Sequence, residues 1–156
     1  MKEKTCCFTG HRKIPSESLP AISRKLKETL IFYIENGYRY FGTGGALGFD
    51  TLAAQTVLLL KQRYPRIKLI LVLPCKDQAK RWSAQEIEEY ERIKSSADKV
   101  VYTSEHYYSG CMHKRNRHLV DHSSLCVCYL TEKTGGTAYT VEYAAKNNLT
   151  VINVAF

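Results

Sequence analysis

Phe41-Gly42-Thr43-Gly44-Gly45-Ala46-Leu47-Gly48-Phe49-Asp50 is the stretch on which the reading of this chain turns. The β-like run Tyr38-Arg39-Tyr40-Phe41 leads into it. A helix-period run leaves it, with Phe49, Leu52, Ala53, Thr56, Val57 and Leu60 recurring on one face. Glycines at a strand-to-helix junction let the backbone turn sharply and bring N–H groups close to a bound group. The N-terminal dipole of the following helix then favours phosphate or another anion. A tight turn that needs glycine only for packing is the competing reading of the same residues. Read as G-x-G-x-x-G from Gly42, the stretch has Leu47 where the third glycine belongs, and it follows the second strand where the dinucleotide fingerprint follows the first. No Gly-Lys-Ser/Thr follows, so it is not a P-loop either.

Working outward, strand-like and helix-like runs alternate. Strands are expected at Thr5–Thr9, Ile67–Leu73, Asp98–Tyr102, Leu125–Leu130 and Thr150–Val154, besides the one at Tyr38–Phe41. Helices are expected from Ser16 or Ser18 to Asn36, from Phe49 to Arg63, from Ala84 to Ser95, through Met112–Val120, and from Gly135 onward. The nearly unbroken apolar run Ile67–Leu73 suits a strand covered on both faces. No linker or repeat interrupts the alternation. It predicts one α/β domain over residues 1–156, Rossmann-like and three-layered, with a mostly parallel sheet of about six strands.

With 44% hydrophobic and 24% charged residues, the chain has the composition of a folded soluble protein and not of a disordered one. No apolar run approaches a membrane span, and the start Met1-Lys2-Glu3-Lys4 leads into too short an apolar run for a signal peptide, so a cytoplasmic location without membrane contact is expected. The six cysteines then read as reduced thiols. Cys126-Val127-Cys128 has strand spacing, and no paired C-x-x-C supports a metal centre, so none is predicted. A net charge of +8 favours anionic partners: nucleotides, nucleic acid or an acidic protein. Ligands of parallel α/β sheets bind beyond the carboxyl ends of the strands. Here those ends carry Arg12 and Lys13, then the glycines with Asp50, then Lys76, Lys80 and Arg81, then Lys114, Arg115 and Arg117, and finally Gly135-Gly136-Thr137. Lys61, Arg63, Arg66 and Lys68 belong to the opposite edge.

Taken in order and spacing, Thr9-Gly10-His11-Arg12, Gly44-Gly45-Ala46-Leu47-Gly48-Phe49-Asp50, Gln78 with Trp82, Arg115-Asn116 with Asp121, and Gly135-Gly136-Thr137 resemble the YpsA-like branch of the SLOG superfamily. That superfamily also holds the Lonely Guy phosphoribohydrolases and the DNA-processing A proteins. The resemblance implies a nucleotide-binding Rossmann-like domain. Gly10, His11, Arg12, Gly44, Gly45, Ala46, Gly48, Asp50, Gln78, Trp82, Gly135, Gly136 and Thr137 are then the ligand-binding candidates. Met112-His113-Lys114-Arg115 matches the M-x-x-R segment of the Lonely Guy enzymes. Gly135, Gly136 and Glu142 hold the spacing of P-G-G-x-G-T-x-x-E, with Thr134, Ala138 and Tyr139 departing from it. The catalytic candidates by that likeness are Arg115, holding a phosphate or ribose oxygen, and Glu142, stabilising the cationic sugar of N-glycosidic cleavage. Trp82 offers a stacking surface for a base, and Gln78 an amide for its edge.

The favoured expectation is a binding protein for a nucleotide or nucleotide-derived ligand, its phosphate held by both glycine loops, with no cofactor predicted. The alternatives are a nucleoside monophosphate phosphoribohydrolase and a single-stranded DNA-binding module, nucleic acid being the less favoured partner. The likeness further implies pairing as a homodimer.

Overall fold

The computed structural model describes residues 1–156. Its elements are β1 (Thr5–Gly10), α1 (Leu19–Glu35), β2 (Tyr40–Thr43), α2 (Phe49–Lys61), β3 (Lys68–Leu73), α3 (Ala84–Ser96), β4 (Lys99–Tyr102), α4 (Cys111–Asp121), β5 (Leu125–Tyr129), α5 (Gly136–Lys146) and β6 (Thr150–Asn153). The six strands form one sheet in the order β4-β3-β2-β1-β5-β6, every neighbouring pair parallel. The chain walks outward from β1 to β4. Then α4 carries it back so that β5 pairs on the far side of β1. That reversal opens a crevice between the carboxyl ends of β1 and β5, where Gly10 lies beside Tyr129.

Side-chain alternation along the strands builds two cores. Cys6 and Phe8 of β1, with Leu125, Val127 and Tyr129 of β5, pack towards α1, α2 and α3. Cys7, Cys126 and Cys128 point the other way, against Leu119 and Val120 of α4 and Ala144 of α5. The first cluster holds 21 buried residues and the second 8, so the α1–α3 face carries most of the hydrophobic stabilisation, roughly 1.5–3 kcal/mol for each large side chain.

The alternating α/β reading holds throughout, and the differences are local. β2 starts two residues later than expected and runs through Gly42 and Thr43. The Tyr38 N–H still bonds back to the Tyr33 carbonyl (2.9 Å) after the left-handed Gly37, so the turn that ends α1 consumes the start of the predicted strand. α1 begins at Leu19 with Pro20 in its first turn and no side-chain cap from Ser18. α3 starts where a capping box dictates: the Glu86 N–H donates to Ser83 Oγ (3.1 Å), and the Ser83 N–H donates to Glu86 Oε1 (2.8 Å). No helix is long and apolar enough to cross a membrane.

Candidate functional site

The turn after β2 is set by close packing. Gly48 has φ 77°, and a side chain there would run into the carbonyl of Arg12. That contact accompanies the bond from the Phe49 N–H to the His11 carbonyl (3.1 Å), which lashes the start of α2 to the end of β1. A Cβ at Gly44 would overlap the Arg115 guanidinium, one at Gly45 would stand 2.6 Å from Leu73, and one at Gly10 would stand 2.5 Å from Phe49. Internal packing therefore accounts for the glycines of this first loop. Of the stretch that opened the sequence reading, Ala46 and Asp50 are the residues that reach the crevice wall.

Arg115, the expected arm for a phosphate or ribose oxygen, is 4% exposed. Its Nη1 donates to the Gly44 carbonyl, its Nε to Asn116 Oδ1 (2.7 Å) and its Nη2 to Met112 Sδ (3.7 Å). No carboxylate lies within ion-pair distance of it. Asp50 is 6% exposed and accepts from the Ala46 N–H (3.2 Å). Burial raises the Asp50 carboxyl from its ordinary value, against the pull of Arg115 and Arg12. Burial likewise lowers Arg115, with Asp50 opposing. Two cations, Arg12 and Arg115, and two carboxylates, Asp50 and Glu132, line the site, and neither arginine has a carboxylate within ion-pair distance.

Arg115 and Asp50 stand in the wall of a cleft of about 290 Å³ lined by Thr9 to Arg12, Ala46, Met112, Asn116, Glu132 and Thr134 to Thr137. The segments around residues 45 and 136, far apart along the chain, thus face one crevice. Gly135 (φ 103°) is the N-cap of α5 and supplies no side-chain cap, and the first turn of that helix holds no acid. Its leading N–H groups have no intrahelical acceptor. A Cβ at Gly136 would meet nothing within 4 Å. Gly136 thus differs from Gly44: the protein's own packing places no demand for glycine there.

A second cleft of about 640 Å³ adjoins the first through Arg12 and Met112, and it is lined also by Asp77, Gln78, Lys80, Arg81, Trp82 and Tyr107. The Trp82 ring meets Tyr90 edge-on, centroids 5.1 Å apart, which leaves it half-buried with one side in the cleft. Gln78 is 9% exposed. Its Nε2 lies 3.4 Å from both the Gly44 carbonyl and the Tyr90 hydroxyl, and its Oε1 has no hydrogen-bond partner.

Arg12, Lys80, Arg81 and Arg115 converge on this edge as expected, whereas Lys76 pairs with Glu105 (3.1 Å) and Arg117 Nη1 donates to the Tyr139 hydroxyl (3.3 Å). His11 sits at the crevice, but its Nε2 accepts from the Thr131 N–H (2.9 Å), tying β1 to the loop after β5. Asn116 and Asp121 organise helices, the latter accepting from the Tyr143 hydroxyl (2.7 Å). The structure does not bring Glu142 to the cleft: its side chain is 68% exposed and pairs with Lys146 (2.9 Å) one turn on. The α5 helix turns that position outward, so spacing from the glycines was an insufficient guide. The carboxylate that lines the cleft besides Asp50 is Glu132, which sequence reasoning missed. Its only signal was its place in the loop that follows β5.

The fold and crevice define a Rossmann-like α/β domain with a polar crevice at the switch point of its sheet. The model of the YspA SLOG family matches residues 7–154, and the chain belongs to that family. It is 35% identical to the uncharacterized SPbeta prophage-derived protein YoqJ of Bacillus subtilis, the match covering 80% of this chain and 83% of that one. It is 28% identical to the UPF0398 protein YpsA of the same organism, covering 92% and 85%. Among solved structures it is similar to DNA processing protein A from Helicobacter pylori (TM-score 0.68, 17% identity), described by its single-stranded DNA binding mode, and to DNA processing protein A (DprA) from Streptococcus pneumoniae (0.70, 17%). Each match covers 96% of this chain but 64% and 50% of those proteins, so the likeness is one of fold.

Proposed function

We propose that this protein binds a nucleotide or nucleotide-derived ligand in the crevice between β1 and β5. The ligand's phosphate sits at Gly135–Thr137 over the start of α5, flanked by Arg12 and by the free donors of Arg115, and its base lies towards Trp82 and Gln78. The observation that carries this reading is the open space over Gly136 beside two cations without carboxylate partners. Backbone N–H groups, a helix dipole and guanidinium donors together suit a phosphate. The first glycine loop supports the site from behind, by letting Arg115 pack against Gly44, and does not itself cradle the anion.

Binding without turnover is favoured over N-glycosidic hydrolysis because the expected acid, Glu142, pairs with Lys146 on an exposed helix face. Titrating the protein with a panel of nucleoside monophosphates, by calorimetry and with chromatography of the mixture, tests both readings. The expected result is saturable binding, weakened at least tenfold by Arg12→Ala, with no free base released. Failure of every nucleotide to bind, or binding indifferent to Arg12→Ala, overturns the proposal. Release of free base converts it to the hydrolase reading.

A further inference from the structure

The opposite edge of the sheet carries a second groove, separate from the crevice. We infer that the groove where β1, β2 and β3 begin binds a single strand of nucleic acid, its phosphates on Lys4, Arg39, Arg63 and Arg66 and its bases against Tyr38 and Tyr64.

The groove encloses about 460 Å³ and is lined by those six residues together with an apolar floor that includes Ile34 and Ile67. Its charges are held by backbone, not by flexible loops. The Arg39 N–H bonds to the Lys4 carbonyl (2.9 Å), the Lys68 N–H bonds to the Arg39 carbonyl (2.8 Å), and Arg39 Nε reaches the Arg66 carbonyl (3.3 Å). Successive strand starts thus present cations in a row, at the roughly 4.8 Å spacing of neighbouring strands. None of the four cations has a carboxylate within ion-pair distance, although this same edge has acids to spend: Asp98 engages Lys61 and Lys68, and Glu35 accepts from the Tyr64 hydroxyl (2.8 Å). Four like charges crowded without counterions repel each other, a cost that a polyanion relieves.

The aromatic groups decide between a polyanion in general and a nucleic-acid strand. Arg63 lies over the Tyr64 ring (5.1 Å) in the groove, and Arg39 lies over the Tyr40 ring (5.8 Å) beside it, so guanidinium and aromatic groups already associate here. Alternating cations and half-buried rings on an apolar floor suit a backbone tracked by charge and bases that stack. A duplex, whose bases are hidden, gains only the charge.

The test is fluorescence anisotropy of the full chain with labelled single-stranded oligothymidylate, oligouridylate and a duplex of the same length. Preference for either single strand over the duplex is expected, with the two single strands telling DNA from RNA. Four phosphate contacts give a log–log salt slope of about −3, and Arg39→Gln with Arg66→Gln should reduce it by about 1.4. Arg39→Glu with Arg66→Glu should weaken binding at least tenfold, Tyr64→Leu several-fold, and Lys80→Glu with Arg81→Glu at the far edge no more than about threefold. Equal loss from both charge-reversed pairs, loss only from the Lys80/Arg81 pair, or a duplex bound as tightly as the single strands overturns the inference. The Gln pair guards against misfolding of the Glu pair, and neither touches the crevice, so the nucleotide reading stands or falls separately.

Discussion

The guanidinium of Arg115 donates to the carbonyl of Gly44, joining α4 to the turn after β2 across 71 residues of chain. The bond is made in the protein interior, and Gly44 has no Cβ because that Cβ would occupy the volume of the guanidinium. Gly44→Ala therefore has to displace either the arginine or the turn. Overpacking of this kind costs about 1–3 kcal/mol. Chemical denaturation should show that loss, and nucleotide affinity should fall with it because Ala46 lies on the same turn and its N–H holds the Asp50 carboxylate. A Gly44→Ala protein as stable as the parent would show that the turn is not built around Arg115.

Glu89 provides a pH-dependent contribution well away from the cleft. Its carboxylate accepts from Arg92 Nε (2.6 Å) and Nη2 (2.7 Å), and from Gln55 Nε2 (2.6 Å), across α2 and α3. Arg92 first and Gln55 second hold it down to about 2, from the usual 4.5. A depressed acid stabilises the fold above its unfolded value and loses that contribution as the pH falls from 4.5 towards 2. The group is partly exposed, so the contribution is below about 1 kcal/mol. Wild type and Glu89→Gln should differ in stability at pH 6 and converge by pH 2. A gap that stays constant through that range would contradict the assignment.

All six cysteines are free and buried. Burial pushes the Cys75 thiol up to about 11, helped by Asp77, and Cys128 up to about 12. Thiolate is the reactive form, and a raised value suppresses it. A chromogenic disulfide reagent at pH 8 should therefore label the native protein slowly, then titrate six thiols once denaturant is added. Rapid labelling of any thiol in the native state would mean that a cysteine is more open than the fold implies.

Glu142 tests how far spacing alone can be trusted. As an exposed i, i+4 partner of Lys146 it is screened by solvent and contributes little to stability. Glu142→Gln should leave both stability and nucleotide affinity within twofold of the parent. A tenfold loss of affinity would place its carboxylate at the ligand after all.

The architecture was legible because its signals are periodic: Ile67–Leu73 reads as a doubly covered strand, and Phe49 to Leu60 reads as a helix, whatever surrounds them. The residues that meet in the crevice were legible for a related reason. Segments that end or follow strands of a parallel sheet must gather at one edge; Gly10 ends a strand, and Asp50, Arg115 and Gly135 each follow one. Side-chain direction was not legible. Whether Arg115 points inward depends on the missing Cβ of Gly44, 71 residues away, and Glu142 faces solvent because of the rotation of α5. Sequence spacing carries neither. Nor does it reveal that His11 spends its Nε2 on the Thr131 N–H, a contact between loops 120 residues apart.

Gly136 separates a glycine kept for the fold from one kept for a guest. Its φ lies outside the left-handed region, and a methyl group there would touch nothing within 4 Å. Alanine is the better helix former, so Gly136→Ala should leave unfolding free energy unchanged within about 0.5 kcal/mol or raise it slightly. The same methyl would project over the leading N–H groups of α5, where the phosphate is proposed to sit. Nucleotide affinity should then fall at least tenfold, which is about 1.4 kcal/mol. The loss should also appear as a smaller ligand-induced rise in melting temperature. For the parent at a hundred times Kd, that rise corresponds to about 2.7 kcal/mol. Stability retained with binding lost assigns the open space to the ligand. Binding retained at full strength would mean that the anion is held elsewhere in the crevice and that the bare first turn of α5 faces only water.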